Sequence, residues 1–288
     1  FLSVTASAQQ SLWPKAAPEA KPFSRWWWLG SAVTYDGLIS ELDYLEKSGI
    51  GGLEVTPIYG VQGNEANDVD FLSTEWMKRF DFTQKAAKLK HLQVDMNGGT
   101  GWPFGGPQIS DELAARRMKV ENGKLECVQT RQKVKRAAPG GEGWVMDHYN
   151  PEALKTYLKR FDDAFAGSGA QWPDTWFNDS YEVYEADWTP SLLQEFKARR
   201  GYDLADKLRE FVDGDPKVIS DYRETLGELL EENFTRQWVE WCHKHGVQVR
   251  NQAHGSPANL IDIYAAVDIP EIEGFGLSEF NIKGLRKD

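Results

Sequence analysis

From Trp26 onward, short apolar runs alternate with longer stretches in which apolar residues recur every three or four positions. Such switching between strand and helix periods predicts a parallel α/β protein in repeated β-then-α order. Residues 25–30, Arg-Trp-Trp-Trp-Leu-Gly, predict a first strand, followed by a helix with Leu38, Leu42 and Leu45 on one face that stops at Gly49. Residues 52–55 predict a second strand, and a helix containing Trp76, Phe80, Ala87 and Leu89 leads to a third at 92–96. The loop that follows, residues 97–107, is the most glycine-dense stretch of the chain. Residues 118–149 break the rhythm with short alternating runs and a Pro139-Gly140-Gly141 turn, which predicts a small β excursion inserted in the domain. Regular order resumes with Asn150 as N-cap, Pro151 at the first helical position, and Leu154, Tyr157, Leu158, Phe161 and Phe165 at helical spacing. A fourth strand is expected at 175–178, two helical stretches reach Gly246, a fifth strand covers 247–250, and a short helix at 261–266 precedes a sixth strand at 269–273.

These six βα units fit a (β/α)8 TIM-like barrel that is incomplete here. A six-stranded parallel barrel would be tight, and a doubly wound sheet would be expected to carry a phosphate loop. Residues 23–288 are therefore expected to form a barrel truncated at its C-terminus, with the β-rich insertion at 118–149. Residues 1–22 read as a leader, because Ala6-Ser7-Ala8 before Gln9 looks like the cleavage end of a signal peptide. Export is the expectation, and no later stretch approaches the roughly 20 apolar residues of a membrane-spanning helix. A net charge of −11 with acids spread along the chain argues against a nucleic-acid partner. Twelve tryptophans give weight to sugar binding, since the indole face stacks on the C–H face of a sugar, although tryptophans also serve as core. Cys127 and Cys242 fit either a disulfide or two free thiols.

Two predicted strands lead into acids, Asn178-Asp179-Ser180-Tyr181-Glu182 and Pro270-Glu271-Ile272-Glu273. Glycoside hydrolysis needs two carboxyl groups flanking one bond, whereas any single strand-end acid serves as well to cap the next helix. The strand-end candidates are Glu54, Asp95, Asn97, Asp179, Glu182, Asn251, Gln252, His254, Glu271 and Glu273. The glycine-rich loop lacks the Lys-Ser/Thr of a phosphate loop and is expected to carry Trp102 and Phe104 at a pocket rim, with plain packing as the alternative. His254 suits a hydrogen bond to a substrate hydroxyl, support of a carboxylate, or a structural place. No zinc-like spacing and no G-x-S-x-G elbow occur, while the acids and amides could supply the oxygen ligands that calcium prefers.

Five strings then carry a resemblance. R-W-W-W-L-G-S-A-V-T from Arg25, S-G-I-G-G-L-E-V from Ser48, G-T-G-W-P-F-G-G-P from Gly99, N-D-S-Y-E-V from Asn178, and Q-A-H-G-S-P with D-I-P-E-I-E-G-F-G near the end resemble glycoside hydrolase family 106, the α-L-rhamnosidases. The resemblance implies a (β/α)8 catalytic domain, inversion of anomeric configuration, a calcium ion that helps hold rhamnose, and bacterial export to the periplasm or beyond for polysaccharide degradation. Its members are longer and add β-rich domains after the barrel. Carried over by position, Glu182 looks like the general acid. The second carboxylate is Glu273, Glu271 or a group on a later strand. Trp102, Asp179, Asn251, His254 and Glu271 are candidate substrate contacts, and Glu54 and Glu271 candidate calcium ligands. The leading expectation is removal of terminal α-L-rhamnose from a complex glycan; a retaining glycosidase and a non-catalytic glycan-binding protein are the alternatives.

Overall fold

A computed structural model describes residues 20–121 and 123–272. Along the chain come β1 (Phe23–Leu29), α1 (Tyr35–Lys47), β2 (Gly52–Ile58), α2 (Thr74–Leu89), β3 (Gln93–Asn97), β4 (Gly105–Gly106), β5 (Arg116–Glu121), β6 (Lys124–Gln129) and β7 (Trp144–Val145). Then follow α3 (Pro151–Ser168), β8 (Thr175–Asn178), α4 (Leu192–Arg200), α5 (Leu208–Val212), α6 (Pro216–Leu230), α7 (Arg236–Lys244), β9 (Gln248–Gln252), α8 (Leu260–Ala265) and β10 (Ile269–Glu271). Six strands form one parallel sheet in the order β1-β2-β3-β8-β9-β10, so each strand neighbours the next one along the chain. This mixed α/β arrangement agrees with the sequence expectation.

Capping explains where the helices start. Asn150 accepts from the Glu152 N–H ahead of Pro151, Thr34 accepts from Gly37, and Ser73 from Trp76. The expected inward faces are buried, Leu38, Leu42 and Leu45 in α1 and Leu154, Tyr157, Leu158, Phe161 and Phe165 in α3, while Leu89 at the end of α2 faces solvent.

Alternation along the strands gives the sheet two unlike faces. Trp28, Leu53, Val55, Val94, Met96, Trp176 and Val249 belong to the apolar core shared with the helices. Each fully buried side chain of this size contributes about 1.5–3 kcal/mol. The intervening positions, including Glu54, Thr56, Asp95, Asn97 and Gln252, are polar and also buried. A buried polar face is costly unless its groups are paired, and this requirement shapes the site.

Several boundaries differ from expectation. β2 continues to Ile58 and β9 to Gln252, because tertiary pairing carries both past the last apolar residue of the run. Glu54 is therefore the third residue of a seven-residue strand, not its end. The β excursion begins earlier than residue 118: β4 pairs with β7 and β5 with β6, both antiparallel. Phe104 is core and not rim, stacked on Tyr157 at 4.9 Å between centroids. Cys127 and Cys242 are free thiols. Glu273 and most of the 1–22 leader lie outside the described residues. No described helix is long and apolar enough to cross a membrane.

Gly101 locks the excursion onto the sheet. Its N–H donates to the Pro57 carbonyl at 3.0 Å, its φ is +52°, and a Cβ there would meet the Lys135 carbonyl oxygen at 1.8 Å. Backbone cannot swing aside as a long side chain can. Gly101→Ala is expected to cost about 2–5 kcal/mol, combining left-handed strain with overpacking. Gly49, at φ +79° with nothing within 4 Å of its Cβ position, is the control and should lose only the strain component. Equal melting temperatures for the two variants would refute the close-approach argument.

Candidate active site

Parallel strands deliver the segments that follow them to one edge of the sheet, and the site is built there and just beneath it. The lower layer comes from register. Arg25, Glu54 and Asp95 are neighbours across β1, β2 and β3, and Phe177 is opposite Arg250 across β8 and β9. Arg25 Nε lies 3.1 Å from Glu54 Oε1, and its Nη1 is 2.9 Å from Asp179 Oδ2. Arg250 contacts the other oxygen of Glu54 through Nη2, Asp95 Oδ2 at 3.4 Å and Glu271 Oε2 at 3.2 Å. Both guanidinium groups sit 4.8 Å from the centroid of the Phe177 ring.

Two guanidiniums thus serve four carboxyls in a layer in which Glu54, Asp95 and Asp179 are buried and Arg25 and Glu271 partly exposed. Burial pushes Glu54 above the usual carboxylate range despite both arginines, and raises Asp95 to about 6 against the pull of Arg250. Neither glutamate offered for calcium has a bare carboxylate. Glu54 also accepts from Thr56 Oγ1 at 2.7 Å, and Glu271 Oε1 accepts from the Gln252 amide at 2.7 Å. Calcium takes six to eight oxygens, and here N–H and O–H donors already occupy these. The residues of this layer do not fit the ion, and among the described residues no group of three His, Cys, Asp or Glu side chains is arranged for a metal.

Glu182 belongs to a different environment, the loop four residues beyond β8. That loop is held from several sides. The Tyr181 N–H donates to the His254 carbonyl at 3.1 Å, the Gln132 amide donates to the Glu182 carbonyl at 2.7 Å, and the Tyr184 N–H donates to Gln132 Oε1 at 2.8 Å. The Glu182 carboxylate contacts the Lys135 ammonium and accepts from the Tyr184 hydroxyl at 2.8 Å, while Ser180 Oγ lies 3.3 Å from its other oxygen. Burial pushes this carboxyl up, but the hydrogen bonds from Lys135 and Tyr184, with Trp102 alongside, outweigh it and hold the group below the usual range. Trp102 carries the aromatic surface of the rim, with Lys135 5.9 Å and Arg136 5.5 Å from its ring centroid.

The structure brings Asp179, Gln252 and the partly exposed Glu271 into the arginine layer, whereas Asn251 pairs with Asn178 where β8 and β9 end. Asn251 Oδ1 accepts from the Asn178 amide at 2.8 Å, and Asp179 Oδ1 accepts from the Ser180 N–H at 2.8 Å. His254 is half-buried and meets the Glu182 loop through its backbone. Five tryptophans, Trp28, Trp76, Trp176, Trp188 and Trp238, are buried in the core, which removes them from sugar stacking.

Sequence reasoning missed Arg25, Arg250, Gln132 and Lys135, and also a buried cluster behind the loop. Asp147 accepts from the Tyr149 N–H at 2.9 Å and the Thr189 hydroxyl at 2.7 Å, and His148 packs 5.5 Å from the Tyr181 ring. Burial raises Asp147 to about 7 and lowers His148 to about 4. An acid with a raised folded pKa keeps its proton while the unfolded chain releases it. Asp147 therefore removes stability as pH rises from about 4 to 7, by up to about 4 kcal/mol. His148, depressed in the folded state, acts oppositely and loses stability as pH falls from about 6.5 to 4. Asp147→Asn keeps one acceptor oxygen for the Tyr149 N–H and turns its amide donor to the Thr189 hydroxyl, which can accept as well as donate, but it does not titrate. Its melting temperature relative to the unsubstituted protein is expected to climb between pH 4 and 7; a constant difference would contradict the assignment.

A groove of about 710 Å³ lined by Arg223, Glu228, Pro257 and Asp262 shares no residue with the arginine layer.

Comparison with known proteins gives the family. A family model described as alpha-L-rhamnosidase matches residues 15–133 and 124–273. A curated relative, the putative beta-glucuronidase of Formosa agariphila, is 21% identical over 362 residues, covering 87% of this chain and 31% of the relative. Among solved structures, the rhamnosidase from Novosphingobium sp. PP1Y superposes with a TM-score of 0.71 at 12% identity, covering 88% of this chain and 48% of that one. A beta-galactosidase from the psychrophilic Marinomonas ef1 superposes at 0.52 with 9% identity, covering 87% and 40%. These superpositions show a shared fold, and this chain spans about half the length of the solved rhamnosidase and about a third of the curated relative. With the model match covering most of the sequence, the chain belongs to glycoside hydrolase family 106, the alpha-L-rhamnosidases.

Proposed function

We propose that the chain is the catalytic portion of an exported, inverting α-L-rhamnosidase that removes terminal α-L-rhamnose from a complex glycan, and that its six parallel strands belong to a (β/α)8 barrel. The observation that carries this reading is Glu182, a carboxyl on a braced loop beyond a parallel strand, beside the partly exposed Trp102. In this mechanism Glu182 in its acid form gives its proton to the glycosidic oxygen as the C–O bond breaks, and a second carboxylate takes a proton from the water that attacks the opposite face. Glu271 is tied to Gln252 and Arg250, which suits it to orient groups near the sugar better than to serve as a base. The base is assigned to Glu273 or a later group. Arg25 holds Asp179 and, with Arg250, anchors the floor of the site, while Asn251 and His254 line the edge from the β9 side. A calcium requirement would need a site other than the Glu54–Glu271 layer.

The test follows the product. With an aryl α-L-rhamnoside and the full-length protein, proton NMR in the first minutes should show β-L-rhamnose before mutarotation. Initial α-L-rhamnose would establish a retaining enzyme, and binding without turnover a glycan-binding protein.

A further inference from the structure

Lys135 comes from the β excursion, outside the strands that build the rest of the site. Its backbone is pinned there. The Lys135 N–H donates to the Trp102 carbonyl at 2.8 Å, the Trp102 N–H donates to the Lys135 carbonyl at 3.1 Å, and the Asn97 amide holds the Gly101 carbonyl at 2.8 Å. Its stem runs past two aromatic faces, with the ammonium 5.2 Å from the Tyr184 ring centroid and 5.9 Å from that of Trp102. The head reaches one oxygen of Glu182 and lies 3.1 Å from the Tyr184 hydroxyl, which donates to that same oxygen.

Such a head costs rotamer entropy to hold, and an exposed ion pair alone would repay little of it. This one is not an isolated pair. Gln132, three residues earlier on the same segment, grips the Glu182 backbone from the same side. Among the described residues the titratable groups facing the Glu182 carboxyl are Lys135 and Tyr184, with Ser180 and Trp102 as neutral neighbours; Arg136 is turned to Tyr59 and Trp102, and Glu185 to Arg117.

We propose that Lys135 is a positioning residue for Glu182, fixing which carboxyl oxygen points toward the glycosidic bond and setting the pH above which the group stops donating a proton. The inference rests on the reading of Glu182 as the general acid. An ammonium against one oxygen leaves the other, beside Ser180, as the oxygen that can carry and deliver the proton. The same ammonium favours the ionised form, so the excursion sets an alkaline limit on activity.

The experiment compares Lys135→Met, Lys135→Arg, Tyr184→Phe and Glu182→Gln in the full-length protein, reading kcat/KM against pH on a nitrophenyl α-L-rhamnoside and on a methyl α-L-rhamnoside. Lys135→Met should move the alkaline limb of kcat/KM upward by about one pH unit, as loss of an adjacent opposite charge does. Lys135→Arg should restore the limb, and Tyr184→Phe should move it in the same direction by less. Lys135 is half-exposed, and a melting temperature unchanged in Lys135→Met separates this effect from misfolding. An unmoved limb in Lys135→Met, with Glu182→Gln inactive on the methyl glycoside, would overturn the role of Lys135 while leaving Glu182 in place. A fully active Glu182→Gln would remove the acid assignment and the Lys135 proposal with it.

Discussion

Glu182→Gln is expected to lower kcat on natural rhamnosides by about 10²- to 10⁴-fold, the usual contribution of a general acid, with little change in KM. The amide keeps the shape of the carboxyl. It can turn its oxygen to Lys135 and the Tyr184 hydroxyl, and the loop's other ties run through the backbone and through Gln132. What it cannot do is give a proton to the departing oxygen. A nitrophenolate leaves without that proton, so the loss on the activated substrate should be smaller by at least about tenfold, and this contrast separates lost acid catalysis from a disturbed site. Steady-state kinetics on one activated and one alkyl glycoside would decide it, and equal losses on both would move Glu182 from donor to binding contact.

How much of this could be read from the sequence follows from which interactions are local. Helices announce themselves through periodicity and caps, and Asn150-Pro151 with Leu154, Tyr157, Leu158 and Phe161 left little freedom for α3. Strand order was also legible, since β-then-α repetition constrains a parallel sheet to place successive strands side by side. Depth along a strand was not. Glu54 and Asp95 look like strand-end acids because the apolar run stops near them, yet each is a third residue, drawn into the sheet by partners on other strands. The arginines that neutralise them come from positions 25 and 250, and a pairing across that separation has no local signature. The strand strings did contain a hint: Leu53-Glu54-Val55-Thr56, Val94-Asp95-Met96-Asn97 and Val247-Gln248-Val249-Arg250 alternate apolar with polar, a pattern unusual for a parallel strand covered on both faces. Phe104 shows the converse. A loop aromatic between glycines suits a binding rim, but the same glycines let the loop fold tightly enough for the ring to reach Tyr157 and Trp238 in the core.

Arg250→Met is expected to cost a large part of the domain's stability. Its guanidinium is shared by Glu54, Asp95 and Glu271, and the first two are almost fully buried. Removing one partner from a buried ionic group leaves charge without compensation, which typically costs about 3–5 kcal/mol. At about 2–4 °C per kcal/mol for a domain of this class, the melting temperature should fall by about 6–20 °C. Lysine is not a substitute, because a point charge cannot meet three carboxyls arranged around a planar fork. The direction of the pH dependence is fixed by the acids left behind. Asp95 already sits near 6 with Arg250 in place, and without it the carboxyl should rise further, so the variant should regain stability as pH falls toward 5 and the acids take up protons. Glu54→Gln in the Arg250→Met background should recover part of the loss, since it removes the buried charge that Arg25 alone must then balance. Thermal unfolding of the unsubstituted protein, Arg250→Met and the double variant at pH 5 and pH 8 tests all of this together. A shift below about 2 °C at pH 8, or a double variant no more stable than Arg250→Met, would show that the ionic layer is solvated or rearranges, and that the floor of the site does not depend on these arginines.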